Sequence, residues 1–243
     1  MTEGQCPAPR RFVGRDRMIA RLAVVLVVAL GSVAAVPVRV SAVTGRLPDL
    51  RTLPPTNLSL TTEVLGDGQT HSLLRFDNTV WNAGPGRLEL VGQKRAKIYQ
   101  RFYNARGALV DRAYIGNDSV FHAGHNHYHI ENFASYLLVE LGKKGTKTGF
   151  CIVDTINHTG QYGPRYTTCG QTLQGLSVGW ADVYPAHLAD QWIDLGAPLA
   201  DGTYTLRSTA NPRQRLIEAN YGNNAAQTCF TAQGGVVAST WAC

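Results

Sequence analysis

Clusters of glycine, proline and asparagine interrupt this chain roughly every ten residues, and the stretches between them are short and rich in β-branched and aromatic side chains. That punctuation leaves room for strands and little else. No segment sustains the i, i+3, i+4, i+7 apolar spacing of an amphipathic helix, so long helices are not expected. The pattern predicts an all-β domain, an antiparallel β-sandwich core with long functional loops and little helix. Its strands are expected over 72–76, 87–91, 98–103, 128–140, 148–153, 191–195, 203–209 and 225–230. Asn82-Ala-Gly-Pro-Gly86 and Ala200-Asp-Gly202 are the clearest turns. Residues 43–70, with Pro54-Pro55 and Gly66-Asp67-Gly68, form a lead-in loop and first strand of the same domain. With 243 residues, 44% hydrophobic and 16% charged, the chain has enough apolar side chain for a sizeable core and does not have the composition of a disordered or multi-span membrane protein.

The formal net charge of +6 is unevenly placed: residues 1–42 hold six arginines against two acids, and residues 43–243 hold 17 Lys and Arg against 15 Asp and Glu. The body is close to neutral, which removes the electrostatic case for a nucleic-acid partner. The surplus belongs to an N-terminal segment in which Arg10, Arg11, Arg15, Arg17 and Arg21 precede the apolar run from Leu22 to Leu30. Gly31, Ser32, Pro37 and the small-residue site Val40-Ser41-Ala42 follow. This is the order of an export signal. It predicts a signal peptide over 1–42 cleaved near Ala42, a mature domain over 43–243, and a secreted or cell-envelope location. An uncleaved anchor is the alternative, because Leu22 to Val38 is 17 residues, the lower limit for crossing a bilayer. Membrane contact would then run through that segment alone.

Loss of the leader removes Cys6 and leaves Cys151, Cys169, Cys229 and Cys243, an even set in an oxidising compartment where paired thiols are the rule. Two disulfides are expected. Four cysteines allow three connectivities, of which Cys151 with Cys169 and Cys229 with Cys243 closes two short local loops.

Four of the seven histidines, His122, His125, His127 and His129, fall in the string Phe-His-Ala-Gly-His-Asn-His-Tyr-His. On a helix His127 would point away from His125 and His129, whereas on a strand i, i+2 and i+4 project to one side. The outer pair would lie ~13 Å apart on an ideal strand, so a single metal requires the strand to curve, and Gly124 and the native twist allow that. Imidazole suits copper, zinc, iron and nickel, and three nitrogen ligands with an open position are a catalytic arrangement. His122, out of phase with the others, is expected beside the metal or toward substrate, with simple packing as the alternative. A histidine-rich surface tract with no site is the plain alternative.

These residues sit within a longer set of motifs. The segment from His125 to Tyr136, then Gly145-Thr-Lys147-Thr-Gly-Phe150-Cys151-Ile-Val-Asp154-Thr155, Gln174 to Gly179, Asp182-Val-Tyr184, Gln191-Trp-Ile-Asp194, Gly202-Thr-Tyr204 and Glu218 to Asn224 resembles the catalytic domain of the lysyl oxidase family, in order and with similar gaps. The resemblance is good over residues 120–243 and loose over 47–119. It implies a copper amine oxidase with a self-made quinone. His125, His127 and His129 would bind copper, and Lys147, a few residues before the Phe-Cys pair, would cross-link to Tyr184 to give lysine tyrosylquinone. Without the resemblance, Lys147 is a solvated loop lysine near Lys143 and Lys144, and Tyr184 an ordinary aromatic before Pro185. Asp182, two residues before the tyrosine, is the candidate base. The implied partners are O2 and a primary amine, protein lysine among them, converted to an aldehyde with release of ammonia and hydrogen peroxide.

Asp49, Glu218, Asn220, Asn223 and Asn224 offer hard oxygen ligands suited to calcium, and family members resemble this arrangement. An asparagine-rich turn bonded to its own backbone is the rival explanation. The chain departs from animal members at Gly124, Asn157, Trp180 and Asp190, where cysteines would be expected, which leaves Cys151 and Cys169 to pair with each other. His187 and Ala189 stand where two aspartates would follow the tyrosine, so the substrate lip differs. A non-enzymatic exported metal-binding or adhesion module is the competing function, because Gly202 to Asn224 also resembles the end of a cell-adhesion-type β-sandwich. A zinc hydrolase would suit three histidines but lacks an obvious glutamate beside them.

Overall fold

The computed structural model describes residues 44–93, 97–116, 119–122, 127–170 and 172–243, all within the unit Val40–Cys243. The expected export signal lies outside the described residues. Among the described residues there is no helix, and hence none long and apolar enough to cross a membrane. The fold is all-β, built from antiparallel sheets.

The organising element is the 13-residue strand Thr70–Asn82. Leu74, Phe76, Asn78, Val80 and Asn82 alternate inward along it, each fully buried, while the residues between them are partly exposed. Its first half pairs with Thr56–Val64 and Trp192–Asp194, its second half with Leu50–Thr52 and Trp180–Tyr184. Around it lie three further sheets. One runs in the order Lys143–Lys144, Ala134–Leu138, Gly202–Ala210, Ala225–Gln233, Val236–Ala242; one in the order Gly149–Phe150, His127–Glu131, Ser119–His122; one in the order Leu173–Leu176, Leu88–Gln93, Lys97–Tyr103, Leu109–Gly116. All four sheets feed one apolar core, through Phe76 and Tyr184, Tyr136 and Phe230, Ile130 and Phe150, and Leu88 and Ile98 respectively. Fully burying each large apolar side chain stabilises the fold by about 1.5–3 kcal/mol.

The turn after Thr70–Asn82 is closed by Asn82 itself. Its Oδ1 accepts from Asp49 N (3.1 Å) and Gly84 N (3.0 Å), and its Nδ2 donates to Gly86 O (2.8 Å). The incoming chain passes so close that a Cβ on Gly86 would sit 2.0 Å from the Arg46 carbonyl oxygen, which only glycine avoids.

Two expected strands differ instructively. The run 128–140 is two strands, His127–Glu131 and Ala134–Leu138, broken where Asn132 adopts a left-handed φ of 60° that asparagine tolerates. The run 148–153 keeps only Gly149–Phe150 as strand, because the Ile152 amide donates to the Gln174 side chain (3.0 Å) and the Val153 amide to Asp182 Oδ2 (3.1 Å). Both expected disulfides are present, Cys151 with Cys169 and Cys229 with Cys243.

Candidate active site

His127 opens the strand His127–Glu131, and His129 follows two residues later on the same face. Both imidazoles are partly buried, with Nε2 atoms 3.1 Å apart and ring centroids 5.0 Å apart. The neighbouring strand makes room for them. Gly149 pairs with Glu131, and a Cβ there would come within 3.0 Å of His129 Nδ1 and 3.1 Å of Glu131 Oε1. His125 lies outside the described residues, as does the side chain of His122. A ring nitrogen of His127 and the sulfurs of Cys151 and Cys169 all lie within 4.8 Å of one another. While the two sulfurs are bonded to each other they are not thiolate ligands, so the imidazoles carry the donor function. Two nitrogens converging at 3.1 Å, with a histidine pair's chemistry, fit a copper or zinc ion.

Asp182 and Tyr184 alternate inward on the strand Trp180–Tyr184, which is held in register by Asp182 against Val80 and Tyr184 against Asn78. Asp182 is 2% exposed and Tyr184 5%. The Tyr184 hydroxyl donates to Asp182 Oδ2 at 2.5 Å, with the Cys151 carbonyl 3.2 Å away as a second acceptor. Asp182 also accepts from Thr155 Oγ1 (2.8 Å) and Val153 N (3.1 Å). Burial pushes the Asp182 carboxyl up to about 7, against the pull of those hydrogen bonds. Burial and the adjacent Asp182 carboxyl push the Tyr184 phenol well above its ordinary range. Below about 7 carboxyl and phenol are both protonated, and above it the phenol proton is the one left between the two oxygens.

Lys147 reaches the same ring from the side. Its Nζ is 5.9 Å from the Tyr184 ring centroid and 5.4 Å from that of Phe150, and Phe150 meets Tyr184 edge to face with centroids 5.0 Å apart. Partial burial lowers the Lys147 pKa, opposed by the charges of Asp190 and Asp182. Its loop is anchored where Thr146 N donates to Trp192 O (2.9 Å). Lys147 also lines an open cleft of about 370 Å³ with Tyr136, Lys144, Gly145, Thr148 and Arg207. Among the described residues no acidic side chain lines that cleft, and the Arg207 guanidinium is held by Gln227 Oε1 (3.0 and 3.2 Å). Cys151 joins the two halves of the site, its sulfur beside His127 and its carbonyl beside the Tyr184 hydroxyl.

Of the expected calcium ligands, four are drawn together. Asn223 Nδ2 donates to both Asp49 oxygens (3.0 and 3.1 Å), and Asn224 Nδ2 donates to Glu218 Oε1 (2.8 Å). Glu218 also accepts from Leu50 N (2.8 Å), and burial raises its pKa. Asn220 is exposed and closes its own turn through Gly222 N (2.9 Å). The Oδ1 atoms of Asn223 and Asn224 are buried without a hydrogen-bond partner, an arrangement that suits an oxygen-seeking cation. Arg51 on Asp49 (2.8 Å) and Asn211 on Glu218 (2.6 Å) belong to the same network and carry no signal in the sequence. Thr155 and Val153, which hold Asp182, lie in the stretch around Asp154-Thr155 that does.

The site defines a class: an all-β domain in which a strand-borne histidine pair, a buried tyrosine and carboxylate, and a half-buried lysine flank one disulfide. A family model described as lysyl oxidase matches residues 89–243, and the chain belongs to that family. It is similar to the protein-lysine 6-oxidase of Gallus gallus, 36% identical over 110 residues that make up 43% of this chain and 26% of that protein. It is also similar to lysyl oxidase homolog 1 of Homo sapiens (34% over 126 residues, 49% of this chain and 21% of that protein). Lysyl oxidase homolog 4 of Homo sapiens matches at 37% over 157 residues, 62% of this chain and 19% of that protein. The matched stretches span about a quarter or less of the length of these three relatives.

Proposed function

We propose that this protein is an exported, copper-dependent amine oxidase of lysyl oxidase type, acting on primary amines, peptidyl lysine among them. Family membership supports the class, and the observation that carries the residue assignment is Lys147 Nζ lying 5.9 Å from the ring of a tyrosine whose hydroxyl is bonded to a buried carboxylate. His125, His127 and His129 would hold the copper. With copper and O2 bound, Lys147 and Tyr184 would form lysine tyrosylquinone, which supplies the two-electron chemistry: amine, O2 and water become aldehyde, ammonia and hydrogen peroxide.

The chain's own residues prepare that chemistry. Partial burial favours the neutral form of the Lys147 amine, the form that can act as a nucleophile. Asp182, poised near neutral pH, takes or holds a proton at the Tyr184 oxygen. Phe150 fixes the plane of the tyrosine ring, and the cleft beside Lys147 admits an amine from solvent. Asp49, Glu218, Asn223 and Asn224, with Asn220 at their edge, would hold calcium and pin the strand Leu50–Thr52 to the loop before Ala225–Gln233. The N-terminal 42 residues would serve as the export signal.

The test is a peptide map of copper-loaded protein together with hydrogen peroxide release on adding a primary amine. A single species joining the Lys147 and Tyr184 peptides, and amine-dependent peroxide lost in Tyr184→Phe, is the expected result. Unjoined peptides and no peroxide in copper-loaded protein would leave a metal-binding module instead.

A further inference from the structure

We propose that the Cys151–Cys169 bridge is a redox switch on the metal site. Opened, its two thiolates join His127 in a sulfur-rich donor set for Zn(II) or Cu(I); closed, it leaves the imidazoles alone. The inference rests on the proposed metal binding at His127 and His129 but requires no chemistry at Lys147 or Tyr184, so it can fail or stand separately from the amine oxidase assignment.

The geometry comes from three separate stretches of chain. A ring nitrogen of His127 and both sulfurs lie within 4.8 Å of one another, and His129 Nε2 is a further 3.1 Å from His127 Nε2. A tetrahedral ion with Zn–S of about 2.3 Å and Zn–N of about 2.0–2.1 Å needs donors roughly 3.3–3.8 Å apart. The Cys151 and Cys169 Cα atoms are 5.7 Å apart, so side-chain rotation alone brings two freed sulfurs to that spacing. His127, Cys151 and Cys169 then supply three ligands, and His129 is placed to supply a fourth by turning with its neighbour.

The chemistry balances with a small-molecule or protein dithiol as reductant. One thiolate attacks a sulfur of the bridge, breaks the S–S bond and forms a mixed disulfide. The second thiol displaces the protein sulfur, leaving a cyclic disulfide and two cysteine thiols, with two electrons and two protons transferred to the protein. The metal displaces the thiol protons as it binds. Cys169 follows the exposed Thr167 and Thr168, which gives a dithiol access. The consequence is selectivity. The open bridge makes a closed, soft N/S site preferred by Zn(II) and Cu(I), whereas the closed bridge leaves nitrogen donors that accept Cu(II) and keep positions free.

The experiment uses Co(II) as a spectroscopic stand-in for Zn(II). The full chain is reduced with dithiothreitol, exchanged anaerobically into buffer and titrated, in parallel with oxidised protein. A thiolate-to-cobalt charge-transfer band at one equivalent is expected in reduced protein and in reduced Cys229→Ser/Cys243→Ser, and none in oxidised protein. Cys151→Ser/Cys169→Ser should abolish the band. His127→Ala should weaken cobalt binding by at least the ~10-fold that even an outer-shell partner is worth. A band that survives Cys151→Ser/Cys169→Ser, or its absence from reduced protein, overturns the proposal. So does loss of the β-sheet circular dichroism on reduction, because the site needs the fold to hold His127 against the sulfurs.

Discussion

Replacing Asp182 with asparagine should reverse its effect on stability between acid and alkaline pH. In the folded protein, burial raises the Asp182 carboxyl from 3.8 to about 7, so the native state binds its proton more tightly than the unfolded chain does. Below pH 3.8 both states are protonated and the contribution is fully present. As pH rises the unfolded chain releases its proton first, and stability is lost progressively until pH passes about 7. Three units at about 1.4 kcal/mol each put the cost of the ionised carboxylate at about 4 kcal/mol on the alkaline side. In Asp182→Asn the amide oxygen can take the place of Oδ2 and keep the bonds from Tyr184 and Val153. The NH2 then faces Thr155 Oγ1, whose own proton loses its acceptor, a loss of about 1 kcal/mol. The variant is therefore expected to be about 1 kcal/mol less stable than wild type at pH 3 and about 3 kcal/mol more stable at pH 8. Urea unfolding followed by tryptophan fluorescence at unit pH intervals measures this, and the titrations of groups that do not interact with Asp182 cancel in the difference. A stability difference that does not change with pH, or a variant that is less stable at pH 8, would refute the assignment of a buried, proton-holding carboxyl.

Three further outcomes are expected. Gly149→Ala places a methyl 3.0 Å from His129 Nδ1, and the displaced ring should lower copper affinity by about 10- to 100-fold in a competition titration, with unchanged affinity as the contrary result. Chelation of calcium should lower the melting temperature of wild type but not of Glu218→Gln, since a ligand at 100 times its dissociation constant stabilises by about 2.7 kcal/mol; equal melting curves with and without chelator would leave only an asparagine-rich turn. Arg207→Gln removes a cation from the cleft beside Lys147, where no acid lines the wall among the described residues. Oxidation of amines carrying a nearby carboxylate should then fall about fivefold in kcat/KM, the worth of one exposed ion pair, with uncharged amines unaffected.

What could be read in advance follows the range over which each feature is decided. Gly202–Ala210 and Ala225–Gln233 announce themselves because alternate residues must face one core, and that pattern is local. The convergence of His127 and His129 is local too, since i and i+2 on any strand share a side. The shortening of 148–153 is not: the Ile152 and Val153 amides are claimed by side chains 22 and 29 residues further on, and nothing in the run itself records that competition. The Lys147–Tyr184 approach is of the same kind. Lys147 arrives on a loop tied to Trp192, Tyr184 on a strand registered against Asn78, and Phe150 packs beside both, so only the likeness to a family brought the pair to notice.

The same reasoning explains why the sulfurs escaped the histidine motif. Cysteines were countable as a disulfide pair, and histidines as an alternating triplet, but their meeting depends on Gly149–Phe150 lying against His127–Glu131, which carries Cys151 to the edge of the imidazole pair. Metal sites assembled across a sheet in this way take their selectivity from a pairing no single segment encodes. The chemical state of the bridge is then as decisive as the identity of the ligands, because two sulfurs bonded to each other and two thiolates are opposite partners for the same ion.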